Sequence, residues 1–167
     1  MKRLLALLSI FLPMASAGAE PLGPNELASR LAIQELIAEY AFRWDSKRSA
    51  DFAELFTEDA VMERHLDGET VAGSRLKGKR AILNYAVESH NGRLADRQSR
   101  HHMSGIRFLE ISENVAITEN LVLITHQTAD DSSPVNRSSG IYRISWRLTP
   151  NGWKMSQRIL FTDNPSS

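Results

Sequence analysis

Five histidines and no cysteine bound the chemistry open to this 167-residue chain. Thiol nucleophiles and thiolate metal ligands are excluded. No Gly-x-Ser-x-Gly elbow presents a serine, and the charged stretch 75–80 holds a single glycine, which does not make a phosphate cradle. Acid–base work by histidine remains. His101 and His102 are neighbours in a strand-like run, so they point to opposite faces and only one can enter a given pocket. His126 lies on the following segment; if the chain folds back about residue 113, it comes opposite position 100 or 101. No His-Glu-x-x-His or similar ligand pattern is present, so neither a metal nor any other cofactor is expected. A metal-assisted hydrolase built on His101 and His126 is the weaker alternative.

The matching acid is Asp45, in the stretch LAIQELIAEYAFRWDSKRSADFAELFTEDAV. A helix C-terminus carries partial negative charge and disfavours a carboxylate by about 0.3–1 kcal/mol, so an acid at that point calls for a partner. Paired with His101 it would fix the imidazole tautomer and leave the other ring nitrogen free to remove a proton. The same residues also read as a turn-forming aspartate and a hydrogen-bonded core histidine.

The elements that must position this pair follow from periodicity. Leu27, Leu31, Ile33, Leu36, Ile37, Tyr40, Ala41 and Trp44 recur at helical spacing, with Asn25 as the expected N-cap. A polar turn over 46–49 and a short helix over 51–56 lead to a strand from Ala60. Asp67-Gly68 is a hairpin signal that should pair 61–65 with 69–72. A third helix begins at Lys79 and fades at 90–92. The remainder reads as four long strands over 100–111, 115–128, 138–149 and 153–162. Helices first and a long meander afterwards give an α+β class, with helices over one face of a curved antiparallel sheet. In 115–128, Thr118, Asn120, Val122, Ile124 and His126 share one face, opposite Val115, Ile117, Leu121 and Leu123. Arg143 shares a face with Ile141 and Ser145, opposite Tyr142, Ile144 and Trp146. If that first face lines the pocket, Arg143 holds an anion or enolate; otherwise it is an exposed strand arginine. Trp146 and Trp153 read as core or interface aromatics.

The helical stretch quoted above resembles the opening of the SnoaL-like branch of the nuclear transport factor 2-like superfamily, and SRHHMSGIRFLEIS resembles its third-strand motif. The likeness covers nearly the whole chain after residue 20. It implies a cone-shaped α+β barrel of three N-terminal helices on a strongly curved, mostly antiparallel sheet, with a pocket between them. Scytalone dehydratase and hexachlorocyclohexane dehydrochlorinase, lyases of this group, use an Asp-His dyad. Asp45 falls on the family's acid, and His101 on its histidine, judged by Arg107 six positions later. His126 matches a second histidine of the dehydratase, at the same spacing from the first. Trp44 and Arg64 stand where that enzyme has tyrosines, and Ile141 and Arg143 near its serine and asparagine, so its substrate is not expected here. Catalytic roles are thus expected of Asp45 and His101, and substrate contacts of Tyr40, Trp44, Arg64, His126 and Arg143.

Segment 1–19 reads as a signal peptide: Lys2-Arg3, an apolar run over 4–12, and Ala17-Gly18-Ala19 as the cleavage site, with a cut after Ala17 as the alternative. The expected order is this signal, a leader over 20–26, the domain over 27–163 and a tail over 164–167. The protein is expected to be periplasmic or secreted, with no stable membrane span after cleavage. The processed chain has 18 basic and 20 acidic residues, a net charge of −2 without a basic run, which disfavours nucleic acid as a partner. A small-molecule substrate or ligand is expected, and the resemblance implies a homo-oligomer, dimer or trimer. The leading expectation is a cofactor-independent lyase or isomerase acting on a small apolar or aromatic substrate. A non-catalytic binding or oligomerisation module of the same fold is the alternative.

Overall fold

The computed structural model describes residues 23–131, 133 and 135–163. The segment read as a signal, residues 20–22 of the expected leader and the tail lie outside the described residues. Helix α1 spans Pro24–Asp45, and Gly23, not Asn25, is its N-cap. Pro24 takes the first helical position, where its fixed φ is already helical and its missing N–H costs nothing. Ile33, Ile37, Tyr40 and Trp44, spaced by four, three and four, form its buried face, whereas Leu27 and Leu31 are about half exposed. Lys47 then adopts a left-handed φ of 56° and reverses the chain into α2, Ser49–Ala53. This helix stops earlier than expected because Phe56 already opens strand β1, with Phe52 and Phe56 both buried.

Strand β1 is Phe56–Leu66, β2 Glu69–Thr70 and β3 Leu76–Lys77; helix α3 is Lys79–Asn91. The long strands follow: β4 Arg97–Ile111, β5 Val115–Thr128, β6 Val135–Thr149 and β7 Gly152–Thr162. Asp67 and Gly68 both have positive φ, 50° and 82°, the signature of a type I′ hairpin turn. The hairpin pairs only His65 with Thr70 and Leu66 with Glu69. Val61 and Met62 pair instead with β3, a short strand the periodicity does not reveal.

The seven strands form one sheet in the order β2-β1-β7-β6-β5-β4, with β3 also on β1. The β1–β7 pair is parallel and the rest antiparallel. The path does not close, so β4 is an edge strand. Register shifts in all three long ladders bend the sheet, as bulges do, and its concave face takes the helices. At Gly140 the β7 backbone leaves no room for a side chain: a Cβ there would sit 2.1 Å from the Phe161 carbonyl oxygen. Trp146, 1% exposed, anchors the core and donates its indole N–H to Thr118 Oγ1 at 2.9 Å. No described helix is long and apolar enough to cross a membrane.

Candidate functional site

The C-terminal end of α1 lies against the free edge of β4. Asp45, 7% exposed, spends its carboxylate there on three donors. Its Oδ1 accepts from His101 Nδ1 at 2.8 Å and from Ser99 Oγ at 2.8 Å, and its Oδ2 accepts from the His101 backbone N–H at 2.7 Å. Gln98 donates to the Asp45 carbonyl at 2.8 Å, relieving one of the open carbonyls at the helix end. The unfavourable helix-end position is thereby offset by charge-assisted hydrogen bonds, which are about twice as strong as neutral ones. Burial alone would raise the Asp45 carboxyl, but the His101 side chain, its backbone N–H and Ser99 hold it below the ordinary value.

An acid whose folded pKa is lowered contributes stability that is present above its unfolded value, about 3.9. That contribution is lost as pH falls through the folded value. Urea unfolding at neutral and strongly acid pH should therefore show a stability loss that Asp45→Asn reduces. An equal loss in both proteins would refute the assignment.

His101 Nδ1 faces Asp45, which leaves Nε2 as the ring atom available to the cavity the histidine lines. This cavity, about 530 Å³ between the helices and the concave sheet face, is also lined by Tyr40, Trp44, Arg64 and His126. Six of the seven sequence-predicted site residues thus meet at one place, with Asp45 behind His101. His102 points to the other face, where its Nε2 lies 3.2 Å from Thr125 Oγ1. His126 pairs with Ser99 across the ladder, one residue beyond the expected register. Burial, then the charges of Arg137, Arg97 and Arg93, lower the His126 pKa and favour its neutral form. Trp44 is held between Phe52, Tyr85, His90 and His101, ring centroids 4.7–6.3 Å away. Among the described residues no three metal-ligating side chains come together.

Arg143 is the exception. The concave face carries Tyr142, Ile144 and Trp146, so Arg143 and Ile141 project from the convex face and do not line the cavity. There Arg143 Nη2 lies 2.6 Å from Glu119 Oε1, opposite Arg107, whose Nε donates to Oε2 at 2.9 Å. The Glu119 carboxyl is held low, first by Arg107 and then by Arg143, against its burial. Arg143→Ala should leave cavity binding and turnover unchanged while costing about 1 kcal/mol in chemical denaturation, since Glu119 keeps Arg107. A loss of binding without a loss of stability would return Arg143 to the site.

The structure also brings in residues the periodicity does not place. Arg158 lines the cavity at 8% exposure. Its Nη1 donates to the Glu63 carbonyl at 3.1 Å and, among the described residues, its Nε has no hydrogen-bond partner. The guanidinium carbon lies 5.9 Å from the Tyr40 ring centroid and 5.0 Å from that of Tyr142. Burial pushes the Tyr142 hydroxyl well above its ordinary pKa. A β-bulge hides Arg158 from strict alternation: Met155 pairs with Trp146 and Gln157 with Ser145, so Ser156 is extra and the inward positions change from odd to even. Ser99, Tyr85, Arg93 and Arg137 are further additions.

The SnoaL-like domain family matches residues 25–159. No curated protein matches the chain. Among solved structures, an NTF2-like protein with a cystatin-like fold from Novosphingobium aromaticivorans has 22% identity and a TM-score of 0.71, covering 84% of this chain and 86% of its own. A protein provisionally named scytalone dehydratase from the same organism has 21% identity and a TM-score of 0.68, over 84% and 87%. The beta subunit of a provisionally assigned aromatic-ring-hydroxylating dioxygenase, also from that organism, has 17% identity and a TM-score of 0.71, over 84% and 92%. At these identities the likeness is one of fold.

Proposed function

Because the chain belongs to the SnoaL-like domain family, whose fold encloses a pocket here, we propose that it is a cofactor-independent lyase or isomerase in which His101 removes a proton from a small carbon acid. The observation that carries this reading is the grip on Asp45: its carboxylate meets both the side chain and the backbone of His101. An ionised Asp45 accepts from Nδ1–H, so the lone pair of neutral His101 sits on Nε2, toward the cavity. The ring cannot turn without giving up that bond. Proton abstraction at Nε2 makes an imidazolium beside the Asp45 carboxylate and a carbanion or enolate in the cavity. Arg158 is the permanent positive charge beside the latter, in a partly dry site where fixed charges act most strongly on a developing anion. Return of the proton to another carbon gives isomerisation; its delivery to a departing hydroxyl gives loss of water, and departure of a halide, with the imidazolium proton passing to solvent, gives dehydrohalogenation. The apolar lining by Trp44, Met62, Ile124 and Leu160 suits an aromatic or alicyclic body.

Incubating the protein in deuterated water with a panel of aromatic and alicyclic ketones and ketoacids, and following loss of the carbon-bound proton by NMR, tests the reaction class. Exchange that depends on His101 supports it, and a panel inert throughout favours the non-catalytic binding module. We also infer export, on the sequence of residues 1–19 alone; an amino terminus other than Gly18 or Glu20 in the processed protein would remove that support.

A further inference from the structure

The whole chain carries equal numbers of basic and acidic residues, yet the charges around the cavity are one-sided. Arg64, Arg93, Arg137 and Arg158 line it, against the single carboxylate of Glu63. Glu63 is already engaged, accepting from Arg75 Nη1 at 3.0 Å and from Gln157 Nε2 at 3.4 Å. Among the described residues none of the four arginines has a carboxylate partner. Arg93 donates instead to the Tyr85 hydroxyl at 3.0 Å and to Ser89 at 3.3 Å. Arg64, Arg93 and Arg137 are solvent-exposed, whereas Arg158 is more than nine-tenths buried with an unpartnered Nε.

A buried guanidinium without an acid is costly, and three more at the opening of the same low-dielectric cleft concentrate field of one sign there. Both are explained if the occupant brings the missing negative charge. The apolar walls exclude a bare inorganic ion as the best fit, since they would gain nothing from it.

We propose that the cavity is built for an organic anion, a small aromatic or alicyclic carboxylate, whose charged group is drawn in and held by the arginines while its ring lies among Trp44, Leu76 and Ile124. This deepens the proposed function by naming its substrate class and rests on the same cavity, but not on proton transfer. The two therefore fail separately. Recognition by arginine rather than lysine favours a planar, two-oxygen group, which a guanidinium meets through two parallel hydrogen bonds.

The test is calorimetric titration with benzoate, with its neutral isostere benzamide and with inorganic phosphate, run on the wild-type protein and on His101→Gln. Benzoate is expected to bind in the millimolar range or tighter, at least about tenfold more strongly than benzamide or phosphate. Its affinity should fall as salt is raised while that of benzamide stays constant. Arg64→Gln, Arg93→Gln and Arg137→Gln combined should weaken benzoate binding and flatten its salt dependence while leaving benzamide unchanged, and the preference that remains is the share of Arg158. If the triple variant does not fold, the salt series on the wild type decides the same point. Benzamide binding as well as benzoate, or no benzoate binding in the millimolar range, overturns the proposal. Phosphate matching benzoate would show generic ion attraction only and overturn it equally. Retained benzoate binding in His101→Gln with all proton exchange lost supports both readings, and exchange without any preference for the anion leaves only the acid–base reading standing.

Discussion

His101→Ala is expected to slow proton exchange on a responsive substrate by about 10²- to 10⁴-fold, the usual contribution of a positioned general base. The fold should survive, because Asp45 keeps the His101 backbone N–H and Ser99 as donors. Asp45→Asn is the sharper experiment. If its amide oxygen takes the backbone N–H, its NH₂ faces His101 Nδ1 and Ser99 Oγ. The serine hydroxyl can rotate to accept, but Nδ1 can accept only by giving up its proton, which moves to Nε2. The base is then protonated at the atom that should receive a proton. Exchange should fall over the same range while the amide remains hydrogen-bonded and the stability loss stays near about 1–3 kcal/mol. Wild-type exchange in either variant would rule out the proposed chemistry, and thermal melts on the same samples separate a chemical loss from an unfolded protein.

Trp146→Ala should be the most destabilising simple truncation in the sheet, at about 3–5 kcal/mol. The indole is 1% exposed and its N–H serves Thr118, itself wholly buried. Truncation opens a cavity and strands the Thr118 hydroxyl, adding a buried polar group without its partner. For a domain of this size the melting temperature should fall on the order of 10 °C. Trp146→Phe keeps most of the volume and loses only the hydrogen bond, so it should cost about 1–2 kcal/mol. Equal losses in the two variants would show that packing around the indole contributes little.

The contrast between Arg143 and Arg158 shows what the sequence could convey. Alternation along 138–149 separates Arg143 from Tyr142 correctly, because side chains of a strand point to opposite faces in turn. It does not say which face is concave. That depends on where the helices pack, a property of the whole sheet, and the choice of Arg143 as a cavity residue fails on it. Arg158 is hidden for a different reason. Trp153 and Met155 set an odd inward phase, and the extra Ser156 shifts the strand so that Arg158 and Leu160 turn inward. A single bulged residue leaves no mark in composition or period. By contrast, the helical run of α1 to its end at Asp45, the Asp67-Gly68 turn and the bounds of β5 depend on local rules, and the structure follows them. Asp45 and His101 stand between these cases. Their residue types and the end of the helix are local facts, but their contact is made across 56 positions of chain.

The hold of Asp45 on β4 has a meaning apart from proton transfer. As a sheet edge, β4 pairs among the described residues only with β5, and its other side would expose backbone donors to any passing strand. Asp45 Oδ2 occupies one of them, the N–H of His101, while Gln98 and Ser99 fasten the same stretch to the end of α1. An acid at this position therefore guards the border of the sheet whether or not any reaction takes place. A relative that retained the aspartate but had lost the histidine ring would still have reason to keep it. The aspartate alone is thus a poor marker of activity among proteins of this shape, and the imidazole facing the cavity is the more telling one.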